Sequence, residues 1–279
     1  MIKSGNTFVN ETLNMSFRTI PITRLISDMN FLKFIAVLFI PTLLLFSSCG
    51  SNVVEEPIEF GYDYFPLEIG KYLEYDVDST LYDIGSSNVI VYNNSIQVRE
   101  EVTDSFPDNE GRIIYRIDRF ERKDETEEWR IKDVWTATVT DRQAERVEEN
   151  LRFIKLVFPV SENTNPWNGN KYIDENLVIP IAGESVFVFK NWLYEYREID
   201  GSLSVGTYNF DDVVTVYQAD EENFIELRRS YEQYAKGIGL IYREILILDT
   251  QCIAPCMDDT WEEKAEKGFI VRQTIREYN

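Results

Sequence analysis

From Lys71 to Tyr278 polar and apolar residues alternate in one short run after another, and this alternation limits the fold more than any other feature. Lys71 to Asp78 sets Leu73, Tyr75 and Val77 against Tyr72, Glu74, Asp76 and Asp78. A period of two sends successive side chains to opposite faces of an extended strand, one face toward a core and the other toward water. The same period covers Arg112 to Glu121, where Ile113, Tyr115 and Ile117 oppose Arg116 and Asp118. Glu128 to Thr140 continues it with Trp129, Ile131, Trp135, Thr136, Thr138 and Val139, residue types that suit a pleated, half-buried surface.

Polar turns punctuate these runs. Gly85, Ser86 and Ser87 lie within Asp83 to Asn88, and Pro107, Asp108, Asn109, Glu110 and Gly111 supply the chemistry of a hairpin turn. Val89 to Val102 reads as a strand that breaks or bulges at Asn93 and Asn94. In Asp141 to Asn150 a helical turn competes, whereas Leu151 to Val160 is apolar enough for a strand buried on both faces. Leu177 to Ile181, Ser185 to Ile199, Val213 to Gln218, Asn223 to Tyr234, Ile238 to Leu248 and Gly268 to Tyr278 complete the series, with a turn at Gly201. The expected fold is all-β: a single antiparallel meander forming a curved half-barrel or barrel, with at most one short helix. Residues 60–279 form one β-rich domain in this reading, and a break at Ser161 to Asn176 is the alternative.

Ahead of the domain the pattern changes. Lys33 precedes thirteen residues from Phe34 to Phe46, FIAVLFIPTLLLF, which run directly into Ser47, Ser48 and Cys49. A cation, an apolar stretch of roughly 7–15 residues and small residues make a secretory signal, and the stretch is short of the ~20 residues a membrane-spanning helix needs. A cysteine immediately after the cleavage point marks the lipid-attached kind. Residues 1–48 are therefore read as a signal peptide, with Met29 as the expected start, Cys49 as the lipidated mature terminus and residues 49–59 as a flexible tether.

Cleavage before Cys49 leaves 231 of the 279 residues, with 24 basic against 47 acidic side chains. So acidic a chain repels nucleic-acid phosphates, whose binding depends on Lys and Arg, and gains nothing from anionic lipid. Membrane contact is expected through acyl chains on Cys49, each buried CH₂ contributing about 0.8 kcal/mol. The other two cysteines, Cys252 and Cys256 in C-I-A-P-C, are expected to form a local disulfide in an oxidising compartment. On the chain-entropy model so short a loop gains about 2 kcal/mol.

The chain contains no histidine, which removes Ser-His and Cys-His nucleophilic designs. Gly237 and Gly239 in KGIGL lack the remaining parts of a phosphate loop and read as a kink or bulge leading into the strand from Leu240. Acidic pairs abound at Asp211 with Asp212, Asp220 with Glu221 and Glu222, and Asp258 with Asp259, yet neighbours on a strand face opposite ways and those in turns face water. Asp104 to Gly111 does not match a calcium loop. No catalytic residue, metal or cofactor is assigned. The strongest lead is the loop with Trp167, Asn168, Asn170 and Tyr172, where an exposed Trp flanked by amides would meet a sugar ring or a partner protein; the competing reading is a Trp capping the end of the barrel.

The signal ending FSSC, the opening YFPLEIGKYLEYDVDS, the middle VEENLRFIKLVFPV followed by WNGNKY, and YAKGIGLIYRE near the end resemble uncharacterised Bacteroidota lipoproteins. The resemblance implies export, lipidation and an outer-membrane location, and carries no catalytic residues with it. The expected function is a lipid-anchored, non-enzymatic binding or structural domain whose partner is an envelope protein or glycan. A half-barrel carrier of an acyl chain or lipoprotein is one alternative, and a histidine-free carboxylate hydrolase is another.

Overall fold

The computed structural model describes residues 59–181 and 183–279; the signal and Cys49 lie outside the described residues. Six strands follow one another at the start: β1 (Tyr72–Ile84), β2 (Val89–Pro107), β3 (Ile113–Arg122), β4 (Arg130–Val139), β5 (Gln143–Glu148) and β6 (Leu151–Val157). A small hairpin, β7 (Val178–Ile181) and β8 (Glu184–Phe187), separates them from β9 (Glu195–Val205), β10 (Tyr208–Glu222), β11 (Glu226–Ala235), β12 (Gly239–Asp249) and β13 (Lys267–Tyr278). Among the described residues one α-helix occurs, α1 (Trp261–Lys264), opened by a capping box of Thr260 and Glu263.

Eleven strands make one antiparallel sheet in the order β6-β5-β4-β3-β2-β1-β13-β12-β11-β10-β9. The chain enters at the middle of this sheet, because β1 pairs with β2 on one side and β13 on the other; Tyr75 faces both Val98 and Ile275. It then meanders to one edge, crosses through the β7–β8 hairpin and meanders back from the opposite edge. Alternation does the folding work: Tyr75, Ile117, Trp135, Ala144, Val216, Tyr234, Ile241 and Ile275 are buried in one core on the curled sheet. Fully burying each larger apolar side chain contributes roughly 1.5–3 kcal/mol. The half-barrel meander read from the sequence is therefore the fold.

Four local expectations are corrected. Asp141 to Asn150 is not helical: it holds β5 and a two-residue turn to β6, with Glu149 and Asn150 at φ 48° and 65°, the left-handed pair that tight hairpins use. β2 runs through Asn93 and Asn94 without a shift against β1, because the Thr80 hydroxyl donates to the Asn93 side chain and the Ser79 hydroxyl to the Asn94 carbonyl. Its irregularity against β3 falls instead between Val102 and Asp104. Ser185 to Ile199 is not one strand; Asn191, at φ 62°, turns the chain between β8 and β9. Gly201 sits inside β9 opposite Val213, and the turn falls at Gly206 with φ 59°.

The two sheet edges, β6 and β9, are tied together by a strap from the loop that follows β6. Trp167 and Tyr194 exchange backbone hydrogen bonds of 2.8 Å, and the Ile154 amide donates to the Gly169 carbonyl at 2.8 Å. On β9, the Tyr196 hydroxyl donates to the Val157 carbonyl at 2.7 Å and accepts from its amide at 3.1 Å. Gly169 is required by this closure, since a Cβ there would lie 2.4 Å from the Tyr194 ring. Gly169→Ala is expected to lower unfolding free energy by about 1–3 kcal/mol, the usual cost of overpacking, as measured by denaturant titration; unchanged stability would show that the strap does not close the sheet.

Candidate functional site

Inside the curled sheet lies a buried ionic cluster drawn from five strands. Glu100 comes from β2, Arg146 and Glu148 from β5, Lys155 from β6, Glu232 from β11 and Arg243 from β12. Lys155 Nζ meets Glu148 at 3.0 Å and Glu232 at 2.9 Å; Arg243 meets the same two carboxylates at 2.9 and 2.6 Å. Arg146 pairs with Glu100 at 2.5 Å, and the Tyr234 hydroxyl donates to Glu232 at 2.5 Å. Three carboxylates thus face three cations, and the Glu232 side chain is 0% exposed.

Burial works to raise the carboxyl pKa of Glu232, but Lys155 and Arg243 outweigh it and hold the group down at about 2. Burial opposes ionisation of Glu148 too, and Arg243, Lys155 and Arg146 pull it well below the usual carboxylate range. Two acids therefore converge, as a hydrolase would need, but both stay ionised at neutral pH. Neither has a proton to give as a general acid, and together they serve as a brace across the sheet. The aromatic hydroxyls of Tyr75 and Tyr194 are pushed well above their ordinary value, chiefly by burial. Beside the cluster, an apolar cleft of about 50 Å³ lies among Phe65, Leu67, Val102, Ile117, Ile238 and Leu240. That space suits a few waters and falls far below the roughly 300–1,000 Å³ of ligand pockets.

The sequence-nominated loop divides on folding. Trp167 is half-buried in the strap: its indole N–H donates to the Ile154 carbonyl at 3.1 Å, and its ring lies 4.9 Å from Tyr196 and 5.9 Å from Tyr194. Tyr172 is exposed, with the Arg152 guanidinium 4.1 Å above its ring. Asn168 and Asn170, by contrast, line a recess of about 410 Å³ together with Lys171, Phe189, Asn191 and Trp192. Asn170 is 4% exposed and its Oδ1 accepts from the Tyr194 hydroxyl at 2.8 Å. Its Nδ2, and the Nε1 of the 7%-exposed Trp192, find no acceptor among the described residues. Buried donors normally have partners; both nitrogens are shut off from solvent behind the recess.

Elsewhere the acidic pairs remain apart. Asp220 is held by Arg197 at 2.6 Å and Arg229 at 3.2 Å, and the Ser202 hydroxyl donates to Asp211 at 3.0 Å. Among the described residues no group of His, Cys, Asp and Glu has the geometry to hold a metal. Cys252 and Cys256 form the expected bridge, with Cα atoms 5.7 Å apart. Gly237 and Gly239, at φ 72° and 109°, shape the turn into β12 rather than a phosphate loop.

Because the folded pKa of Glu232 lies below its ordinary 4.5, the folded state binds fewer protons than the unfolded one between pH 4.5 and about 2. Its contribution to stability is whole above that window and is lost as pH falls through it. Lys155→Met should cost about 3–5 kcal/mol by leaving buried carboxylates short of a partner, and should move acid unfolding to higher pH. Adding Glu232→Leu to that variant should recover part of the loss. A Lys155→Met protein as stable as the parent across the whole acid titration would refute the brace.

No protein-family model matches the chain, and no curated protein matches it. Two crystal structures are similar to it in part. One is of a candidate lipoprotein from Parabacteroides distasonis ATCC 8503, 13% identical, covering 80% of this chain and 100% of that one at a TM-score of 0.40. The other is of a candidate exported protein with a YmcC-like fold from Bacteroides fragilis NCTC 9343, 12% identical, covering 77% of this chain and 98% of that one at a TM-score of 0.39.

Proposed function

We propose that this chain is an exported lipoprotein, held at the outer membrane by acyl chains on Cys49, whose β domain binds a glycan of the cell envelope rather than transforming a substrate. The observation that carries the binding reading is the recess beside the strap, lined by Asn168, Asn170 and Asn191 with Phe189 and Trp192. Amides hydrogen-bond hydroxyls in pairs, and an aromatic wall suits the apolar face of a sugar. Trp167 supports the site from behind by fixing the strap, and Tyr172 stands outside its lining. An envelope protein docking on the same loop is the second reading, favoured by the exposure of Tyr172.

The anchor reading predicts that cells fed an alkyne analogue of palmitate label the parent protein and not Cys49→Ala, and that the variant leaves the membrane fraction; labelling of Cys49→Ala would end it. The glycan reading predicts saturable binding of N-acetylglucosamine oligosaccharides, with a change in tryptophan fluorescence. Asn168→Ala should weaken that binding by about fivefold, the loss of one hydrogen bond of ~1 kcal/mol. Absence of binding by a folded parent protein would exclude this sugar class.

A further inference from the structure

The longest strand, β2, outruns its neighbour. Its pairing with β3 begins only at Gln97 opposite Arg122, whereas its pairing with β1 reaches Val89 opposite Ile84. From Val89 to Ile96 the strand therefore has β1 on one side, and among the described residues no backbone hydrogen bond crosses its other side. Every residue from Val89 to Ser95 is exposed, including Val89 at 37%, Ile90 at 45%, Val91 at 48% and Tyr92 at 51%.

An open strand edge of this kind invites pairing, and soluble proteins usually guard it with lysine, proline or a bulge. None is present in VIVYNNSI, and the segment carries no charge although the chain's net charge is −21. The side chains alternate Val89 and Val91 to one face and Ile90 and Tyr92 to the other, so an added strand would find apolar contacts above and below. Alternate N–H and C=O groups along the edge would supply its ladder.

We propose that Val89–Ile96 is a docking edge that takes an extended, apolar segment of another protein as an added antiparallel strand, flanked by basic residues. Basic flanks follow from the partner's surroundings: Asp78 and Asp83 lie on the paired strand β1, opposite Ser95 and Ile90. A second copy of this chain would bring the same acidic charge to the edge and is the poorer occupant. The anchoring bilayer is also a poorer occupant on charge, since a chain of net charge −21 gains nothing from anionic lipid.

The test uses the purified mature chain and a synthetic peptide of alternating valine and threonine with two lysines at each end, followed by fluorescence anisotropy. Saturable binding is expected, weakened at least about tenfold when alternate peptide nitrogens are methylated, because strand addition needs those N–H groups. Val91→Pro and Tyr92→Pro remove neighbouring N–H groups, one toward β1 and one toward the open edge. The variant that keeps the parent's stability should lose the peptide. Equal binding of the methylated peptide, or no binding at all, overturns the proposal. So does a dimer of the chain that these prolines dissolve. No membrane enters these measurements, so failure of the Cys49 anchor leaves them unaffected. In a separate arm, release from phosphatidylethanolamine and phosphatidylglycerol vesicles by Ile90→Asp with Tyr92→Asp would make the arm a lipid-inserting element and refute strand docking.

Discussion

The contacts of Lys155 and Arg243 with Glu148 and Glu232 connect parts of the sheet that no ladder connects. β6 and β11 stand eight positions apart in the strand order, yet Lys155 and Glu232 meet at 2.9 Å. β5 and β12 are joined in the same way through Glu148 and Arg243 at 2.9 Å. A meander of eleven strands has many nearly equivalent curvatures, and hydrophobic burial alone does not select among them. Ion pairs in a dry interior do, because a carboxylate left without its cation there costs several kcal/mol. The cluster thus acts as a gauge of curvature: only the sheet that brings both edges round satisfies every charge. The strap at Trp167 to Asn170 can then span the gap from β6 to β9, and the recess beside it exists because that gap is narrow.

This arrangement explains which parts of the fold were legible in the sequence. Strands with apolar residues inward, such as β1 and β3, announce themselves by period and sign. β5 has the period with the sign inverted in part, since Ala144, Arg146 and Glu148 are buried while Val147 is only half-buried. A stretch with charges at every second or third place resembles a helix surface, and a helical turn was the natural competitor there. Lys155 is hidden similarly within LRFIKLV, where a single lysine in an apolar strand carries no sign of Glu232, its partner 77 residues away. Pairing across a barrel is set by curvature, and curvature is not local.

The site was legible in half. Asn168 and Asn170 were nominated by their place in a polar loop, and they do face the recess. A large ring in a polar loop suggests exposure for Trp167, but the ring is packed against Tyr194 and Tyr196. Phe189, Asn191 and Trp192 carry no site signal because FVFKNWLYEY reads as one alternating strand; the left-handed Asn191 breaks it, and Trp192 lines the recess with the loop. An asparagine followed by tryptophan inside an apparent strand was the available signal, since asparagine tolerates positive φ better than most residues.

The same economy of charge bears on the surface. Arg146, Lys155 and Arg243 are spent inside against three glutamates, so this cluster is neutral and most of the excess acid lies outside it. Such a surface keeps the domain apart from anionic lipid and from copies of itself. Against that field, a patch without charge is where another molecule meets least repulsion. The bare edge from Val89 to Ile96 is such a place, whereas the recess at Asn168 carries Lys171 and Glu175 beside its amides; the two differ in what they offer, the recess amides and an aromatic wall, the edge an unpaired backbone. A small hydroxylated ligand satisfies the recess and leaves the edge open; an extended chain does the reverse. The two surfaces therefore need not compete, and on the proposed reading one domain holds a glycan and a protein strand at once.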